Sequence, residues 1–302
     1  FYLSSFIIKV ALADIVVVAY DNFSSKDFDL EVIDKHIKLL KNKKYYILST
    51  NNIIDAVSST KILPNYSVAI TITSNKKQVI NYIWPSMAKA SLPFTLFIEP
   101  DLINIGIDNM KWEDIKTLYN NGVEIGINGT PRNIIRAIKL YKNNLSIDPI
   151  SYQYKLGIWS KEEIKILKEN KIKIAFGDNS GPVSLKMNIY KLPRYKISGK
   201  FSNIERLKTV LETLPLEVYK ILPKNNTLIS NPPLYGFTLL NNDQTPKCYT
   251  NNNNEAEVIK INEDRIEVRT KKFNTSKARI NCVSINSNNR LLWHGSLFWV
   301  NK

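Results

Sequence analysis

An α/β domain built on parallel strands, followed by a small antiparallel β module, is predicted by three features of the sequence. Short apolar runs alternate with amphipathic segments over residues 15–214, a Pro232-Pro233 pair breaks that rhythm, and the chain beyond it carries strand-like runs separated by asparagine-rich turns. Strands alternating with helical segments imply parallel pairing through crossover helices, closed as a barrel or open as a doubly wound sheet. In either architecture a site is expected at the C-terminal ends of the strands. The division that follows is 1–13, 14–230 and 231–302.

Residues 1–13, FYLSSFIIKVALA, form an apolar run ending in Ala11-Leu12-Ala13. A small-x-small ending of this kind precedes a signal-peptidase cut, so the segment is expected to be a signal-peptide remnant or an N-terminal anchor. The alternative is a buried strand, and Lys9 and Asp14 count against a membrane span, which needs about 20 apolar residues. Export is the expectation, to the periplasm or cell envelope of a bacterium. Membrane contact is expected only through this segment, if it stays uncleaved.

Within the α/β region the apolar runs 15–20, 45–49, 68–73, 94–98, 123–127 and 174–176 are expected as strands. The amphipathic stretches 29–40, 53–58, 77–90, 111–119, 134–141, 161–170 and 204–214 are expected as helices. In the module, strands are expected at 235–240, 247–250, 256–261, 265–270, 278–285 and 291–300, with turns at Asn251–Asn254 and Asn286–Asn289. The two cysteines, Cys248 and Cys282, both fall in these strand segments. An exported chain would pair them, which stabilises a small module chiefly by restricting its unfolded state; a cytosolic chain would keep two buried thiols.

With 42 basic and 27 acidic residues the net charge is +15. That balance favours anionic partners such as phosphorylated or acidic glycans, lipid headgroups or nucleic acid. Lysine, asparagine and isoleucine are abundant throughout, and no block sets Arg and Lys beside stacking aromatics, so no nucleic-acid partner is expected.

Three stretches resemble polysaccharide deacetylases of the NodB-homology type. Val68-Ala69-Ile70-Thr71-Ile72-Thr73-Ser74-Asn75 stands where that family has V-A-I-T-[IF] followed by two aspartates. The resemblance puts Thr73 at the position of the catalytic base and Ser74 at that of a metal ligand. Gly122-Val123-Glu124-Ile125-Gly126-Ile127-Asn128-Gly129-Thr130-Pro131-Arg132 resembles G-V-x-I-G-N-H-G-x-x-H, so Asn128 and Arg132 occupy the positions of the two metal-binding histidines. Tyr152-Gln153-Tyr154-Lys155-Leu156-Gly157-Ile158-Trp159 resembles [FY]-x-Y-P-Y-G-E-[YW], with Lys155 and Leu156 at the proline and second tyrosine of a loop that lines the family's site. Val18-Ala19-Tyr20-Asp21, Ala175-Phe176-Gly177-Asp178-Asn179-Ser180-Gly181-Pro182 and Leu192-Pro193-Arg194-Tyr195 resemble further family segments.

The resemblance implies a distorted (β/α) barrel of about seven strands, a polysaccharide substrate and a divalent metal such as zinc. The residues themselves imply the loss of that chemistry. A hydroxyl is a poor base and weak ligand, an Asn amide binds zinc poorly, and a guanidinium repels a cation. Arg132 is expected to fill the ligand position with its own charge, or to bind an anion there. No catalytic residue, metal ligand or cofactor is therefore expected.

The histidine census is independent of that alignment. The chain has only His36 and His294; His36, among charged neighbours, reads as exposed, and His294 falls in the module. Neither a two-His, one-carboxylate metal site nor a Ser-His-Asp or Cys-His arrangement can be drawn at the motifs. The acids nearest strand ends, Asp101, Asp178 and Glu124, offer a glycosidase-type carboxylate pair only in principle.

The expected function is an inactive deacetylase homologue, a pseudoenzyme of the cell envelope that binds a polysaccharide or peptidoglycan-type glycan or serves as a scaffold. Tyr152, Tyr154, Trp159, Asp178 and Arg194 are the candidates for a glycan groove, because flat aromatics stack on sugar faces and Arg offers directed donors. The alternatives are an active, divergent enzyme hydrolysing N-acetyl bonds, and a component of a larger envelope protein assembly.

Overall fold

The computed structural model describes residues 15–21, 30–59, 63–242, 244–251 and 254–300. The signal or anchor segment expected at 1–13 lies outside them. Two sheets organise the chain. The first contains β1 (Ile15–Asp21), β2 (Tyr46–Leu48), β3 (Ser67–Thr73), β4 (Thr95–Ile98), β5 (Glu124–Gly129), β6 (Ser151–Tyr154), β7 (Ile174–Phe176) and β8 (Tyr195–Lys196). Its order is β7-β6-β5-β4-β3-β1-β8, all pairs parallel, curled into a half-barrel. β2 and β4 share one edge of β3, β2 pairing with residues 67–69 and β4 with residues 71–73.

Burial on both faces explains why these strands read as continuous apolar runs. In β1, Val16, Val18 and Tyr20 enter the core under the helices, while Ile15 and Val17 enter a second core inside the curl with Ala69, Phe97 and Phe176. The helices α1 (Leu30–Leu40), α2 (Thr50–Ser59), α3 (Trp84–Lys89), α4 (Trp112–Asn120), α5 (Ile134–Leu145), α6 (Lys161–Glu169) and α7 (Ile204–Leu211) fall where amphipathic periodicity places them. The helix expected over 77–90 is divided: a wider π-type turn at Val79–Ile83 precedes α3. Pro85 lacks the N–H that a regular α-helix would donate there, and the wider turn accommodates it.

His36 corrects the expectation of exposure. It is 0 % exposed, on the α1 face that also buries Ile33, Ile37 and Leu40. Its Nε2–H donates to the Ser202 carbonyl at 2.8 Å, which leaves Nδ1 to accept from the Tyr20 hydroxyl at 3.1 Å. The charged neighbours turn outward while the imidazole turns in.

The second sheet comprises β9 (Leu214–Pro215), β10 (Val218–Leu222), β11 (Thr227–Leu228), β12 (Tyr235–Leu239), β13 (Lys247–Thr250), β14 (Glu255–Ile261), β15 (Arg265–Arg269), β16 (Lys277–Ile285) and β17 (Leu291–Val300). It runs β10-β12-β15-β14-β13-β16-β17-β11 with β9 also on β17; the pairs are antiparallel except for β9 and β11 against β17. The six strands expected after the proline pair are all present. Strands preceding that pair join them, so the sheet starts at Leu214, and α7 stops at Leu211. Cys248 and Cys282 face each other across β13 and β16 and form a disulfide.

Polar contacts fix the module to the barrel. Asn226 Nδ2 donates to the Gly157 carbonyl at 2.6 Å and its Oδ1 accepts from the Trp159 backbone N–H at 3.1 Å. The Leu297 N–H donates to Asn179 Oδ1 at 2.9 Å. At Gly295 the barrel approaches so closely that a Cβ would lie 2.3 Å from the Ser180 carbonyl oxygen, so only glycine fits. Among the described residues no helix is long and apolar enough to cross a membrane.

Candidate functional site

A cavity of about 570 Å³ opens at the C-terminal ends of the parallel strands. Asp21 ends β1, Thr73 ends β3, Asn128 lies near the end of β5 and Gln153 near the end of β6; Asp178 follows β7 and Arg194 precedes β8. The module closes one side with Lys277 and Arg279 from β16. The location is the one that parallel α/β topology dictates.

Strand alternation decides which residues of β6 reach this mouth. Successive side chains point to opposite faces. Gln153 therefore turns to the cavity, whereas Tyr152 and Tyr154 turn to the helical layer, both 0 % exposed, with ring centroids 5.4 Å apart. Neither tyrosine has a face open for stacking on a sugar, so neither forms part of a groove wall. Trp159, 7 % exposed, lines a different cavity at the seam with the module. Of the five expected groove residues, Asp178 and Arg194 are brought together at the mouth.

The floor is a neutral hydrogen-bonded trio. Gln153 Oε1 accepts from Thr73 Oγ1 at 2.5 Å and from Asn128 Nδ2 at 3.2 Å. Ser74, beside it, uses its hydroxyl oxygen to accept the Lys76 backbone N–H at 3.0 Å. Among the described residues, the buried acceptors Asn128 Oδ1 and Asp21 Oδ1 have no hydrogen-bond partner, and both residues line the cavity. An unmet buried acceptor costs about 1–3 kcal/mol, which favours a ligand that supplies donors.

Charge is concentrated on one wall. The Arg194 side chain is 1 % exposed; Nη2 donates to Asp178 Oδ1 at 3.0 Å, Nε to the Gly177 carbonyl at 3.2 Å and Nη1 to Thr71 Oγ1 at 3.2 Å. Nη1 also lies 3.8 Å from Asp21 Oδ1. Asp178 Oδ2 takes Lys277 Nζ at 3.4 Å, and the Asp178 carbonyl accepts from Arg279 Nη1 at 2.7 Å. Burial by itself would raise the Asp178 carboxyl; Arg194, Lys277 and Arg279 outweigh it and hold the group below its ordinary value. Gly157 makes room for this carboxylate: its φ is +72° and a Cβ would meet Asp178 at 2.5 Å. Across the mouth, Lys155 pairs with Glu99 at 2.6 Å. The lining thus carries Lys76, Lys155, Arg194, Lys196, Lys277 and Arg279 against Asp21, Glu99 and Asp178, an excess of positive charge.

This set of residues does not fit a divalent metal. Among the described residues no group of three His, Cys, Asp or Glu side chains is placed to hold one. At the positions singled out by sequence, Thr73 donates to an amide, Ser74 and Asn128 are neutral, and a buried guanidinium stands beside them. Arg132 is not the cation that fills the mouth. It sits exposed on the short turn Pro131–Asn133 after β5, outside the cavity lining, because the chain turns away from the strand end at Pro131. Arg194, immediately before β8, takes that role.

The other acids are committed elsewhere. Glu124, at the start of β5, accepts the backbone N–H groups of Thr50 at 2.7 Å and Asn51 at 3.2 Å and so caps α2 at the opposite end of the barrel. Asp101 pairs with exposed Arg136 at 2.7 Å. No carboxylate pair forms from Asp101, Glu124 and Asp178. Gln153, Lys196, Lys277 and Arg279 were not marked by any motif. Gln153 carries a signal in the alternation of β6; Lys277 and Arg279 reach the site only through domain packing.

No family model and no curated protein matches this sequence. Solved structures do match the fold. The Streptococcus pyogenes deacetylase PplD in complex with acetate superposes with a TM-score of 0.59 at 17 % identity, over 67 % of this chain and 99 % of that one. A de-N-acetylase from Aggregatibacter actinomycetemcomitans gives 0.58 at 13 % identity, over 65 % and 98 %. IcaB from Ammonifex degensii gives 0.55 at 15 % identity, over 65 % and 96 %.

Proposed function

We propose, for a chain whose barrel has the polysaccharide-deacetylase fold, that it is a pseudoenzyme: an exported, non-catalytic homologue whose mouth binds an acidic glycan without a metal. The observation that carries this reading is the double donation to Gln153 Oε1 by Thr73 and Asn128. A hydroxyl that is un-ionised and already donating cannot serve as a general base at neutral pH. A neutral amide and hydroxyl floor beside the buried Arg194 favours an anion over a cation.

The same mouth suits a sugar acid. Asp21 Oδ1 and Asn128 Oδ1 are acceptors for hydroxyl or amide donors, and Lys196 and Lys277 face the cavity as donors to a carboxylate or phosphate. Arg194, Lys277 and Arg279 hold Asp178 ionised, so the wall keeps its charge pattern across neutral pH. The disulfide between Cys248 and Cys282 supports an oxidising compartment.

Metal analysis of the purified protein, combined with an acetate-release assay on N-acetylated oligosaccharides, tests the non-catalytic reading. The expected result is no stoichiometric metal and no acetate above the uncatalysed background. Stoichiometric zinc accompanied by acetate release would overturn it.

A further inference from the structure

A second cavity, of about 650 Å³, lies at the seam between the barrel and the module and shares no lining residue with the mouth. Its walls are apolar on both sides. Trp159 and Ile164 contribute from the barrel, and Val218, Ile221 and Phe298 from the module. A volume in this range is typical of sites that enclose most of a small ligand.

The polar groups that reach this cavity are mostly donors. Among the described residues five lysines line it, Lys161, Lys186, Lys191, Lys220 and Lys224, with Glu217 as the single lining carboxylate. Glu217 is engaged by Lys186 at 2.9 Å and by the Ser184 hydroxyl at 3.0 Å. Among the described residues the other four lysines have no carboxylate within 4.0 Å. Lys191 is the most informative of them. It is partly buried, and its Nζ stands 4.6 Å from the centre of the Trp159 ring. Burial, followed by the nearby Lys161, draws its ammonium below the ordinary lysine value.

Uncompensated cations around an apolar chamber define complementary chemistry: a negative head with several acceptor oxygens on an apolar body. We propose that this seam is a binding site for an anionic amphiphile, an alkyl or aryl phosphate or carboxylate, with its head on Lys191 and its body against Trp159, Val218 and Ile221. The site is independent of glycan binding at the mouth and of whether the barrel retains activity. Because its walls come from α6 and loops of the barrel on one side and from the module on the other, occupation would also fasten the module to the barrel.

The test is calorimetric titration of the intact protein with octyl phosphate below its micellar concentration, alongside inorganic phosphate and octyl glucoside, which carry the head and the tail separately. Octyl phosphate is expected to bind at one site per chain, with each half-probe weaker by about tenfold or more. Lys191→Gln is expected to weaken octyl phosphate binding by about tenfold, and the exposed Lys220→Gln by a smaller factor without disturbing the core. Failure of octyl phosphate to bind would overturn the proposal, as would unchanged affinity in both variants. Equal binding of inorganic phosphate would reduce the site to an anion site, and equal binding of octyl glucoside would remove the charge requirement; either result contradicts an amphiphile site.

Discussion

Thr73 Oγ1 donates a hydrogen bond to Gln153 Oε1 at 2.5 Å, tying the end of β3 to the end of β6 across β4 and β5. The same oxygen holds Asn128 Nδ2, so Gln153 is the acceptor on which the floor of the mouth depends. Gln153→Leu removes that acceptor and leaves a buried amide donor unpaired. A loss of about 1–3 kcal/mol in unfolding free energy is expected, read from urea denaturation at constant slope.

Asp178 is the counterpart on the charged wall. Asp178→Asn leaves Arg194, with its side chain 1 % exposed, facing a neutral amide, and removes the partner of Lys277. Breaking one side of a buried pair costs about 3–5 kcal/mol. The pH sense follows from the lowered carboxyl. The stabilisation is complete above the ordinary carboxylate range and is lost as pH falls through the lower folded value, so the acid limb of the stability curve should flatten in Asp178→Asn.

His294 controls a different pH window. It is buried in the module, where burial, then Lys191, lower its imidazole from 6.5 to about 4. The unfolded chain takes up a proton first on acidification, so stability is full above pH 6.5 and declines toward about pH 4. A shift of that size corresponds to about 3 kcal/mol. His294→Phe, which keeps an aromatic ring against Phe237, should reduce the slope in this window in pH-dependent thermal unfolding. Some slope remains because burial lowers His36 as well, despite its bond to the Ser202 carbonyl.

The disulfide closes a separation of 34 residues between directly opposed strand positions. Loop closure of that length stabilises by about 4 kcal/mol in the chain-entropy description. The Cys248→Ala, Cys282→Ala double variant should lower the unfolding free energy by roughly that amount, measured against the oxidised parent by guanidinium titration.

Much of the fold was legible because parallel strands are apolar on both faces. Runs such as Val16-Val17-Val18 and Val68-Ala69-Ile70 admit few other readings. The mouth was legible where a motif ended a strand, as at Thr73 and Asn128. It was missed where alternation inside a four-residue strand decided orientation, a signal the aromatic pair overshadowed, which sent Tyr152 and Tyr154 into the core and Gln153 to the site. Lys277 and Arg279 belong to a strand of the other sheet, and no local pattern connects them to Asp178. Arg132 was misplaced because the turn at Pro131 redirects the chain just before it.

The central claim is metal-independent recognition of an acidic glycan at the barrel mouth. The most direct measurement is a titration of chelator-treated protein with a uronate-bearing oligosaccharide and with its carboxyl-reduced form, repeated on Lys196→Gln and Lys277→Gln. Binding of the acidic form should survive the chelator, weaken at higher salt, fall by about threefold to tenfold in each variant, and exceed that of the reduced form. Binding that appears only after zinc is added, or that is equal for the acidic and reduced forms, would contradict it.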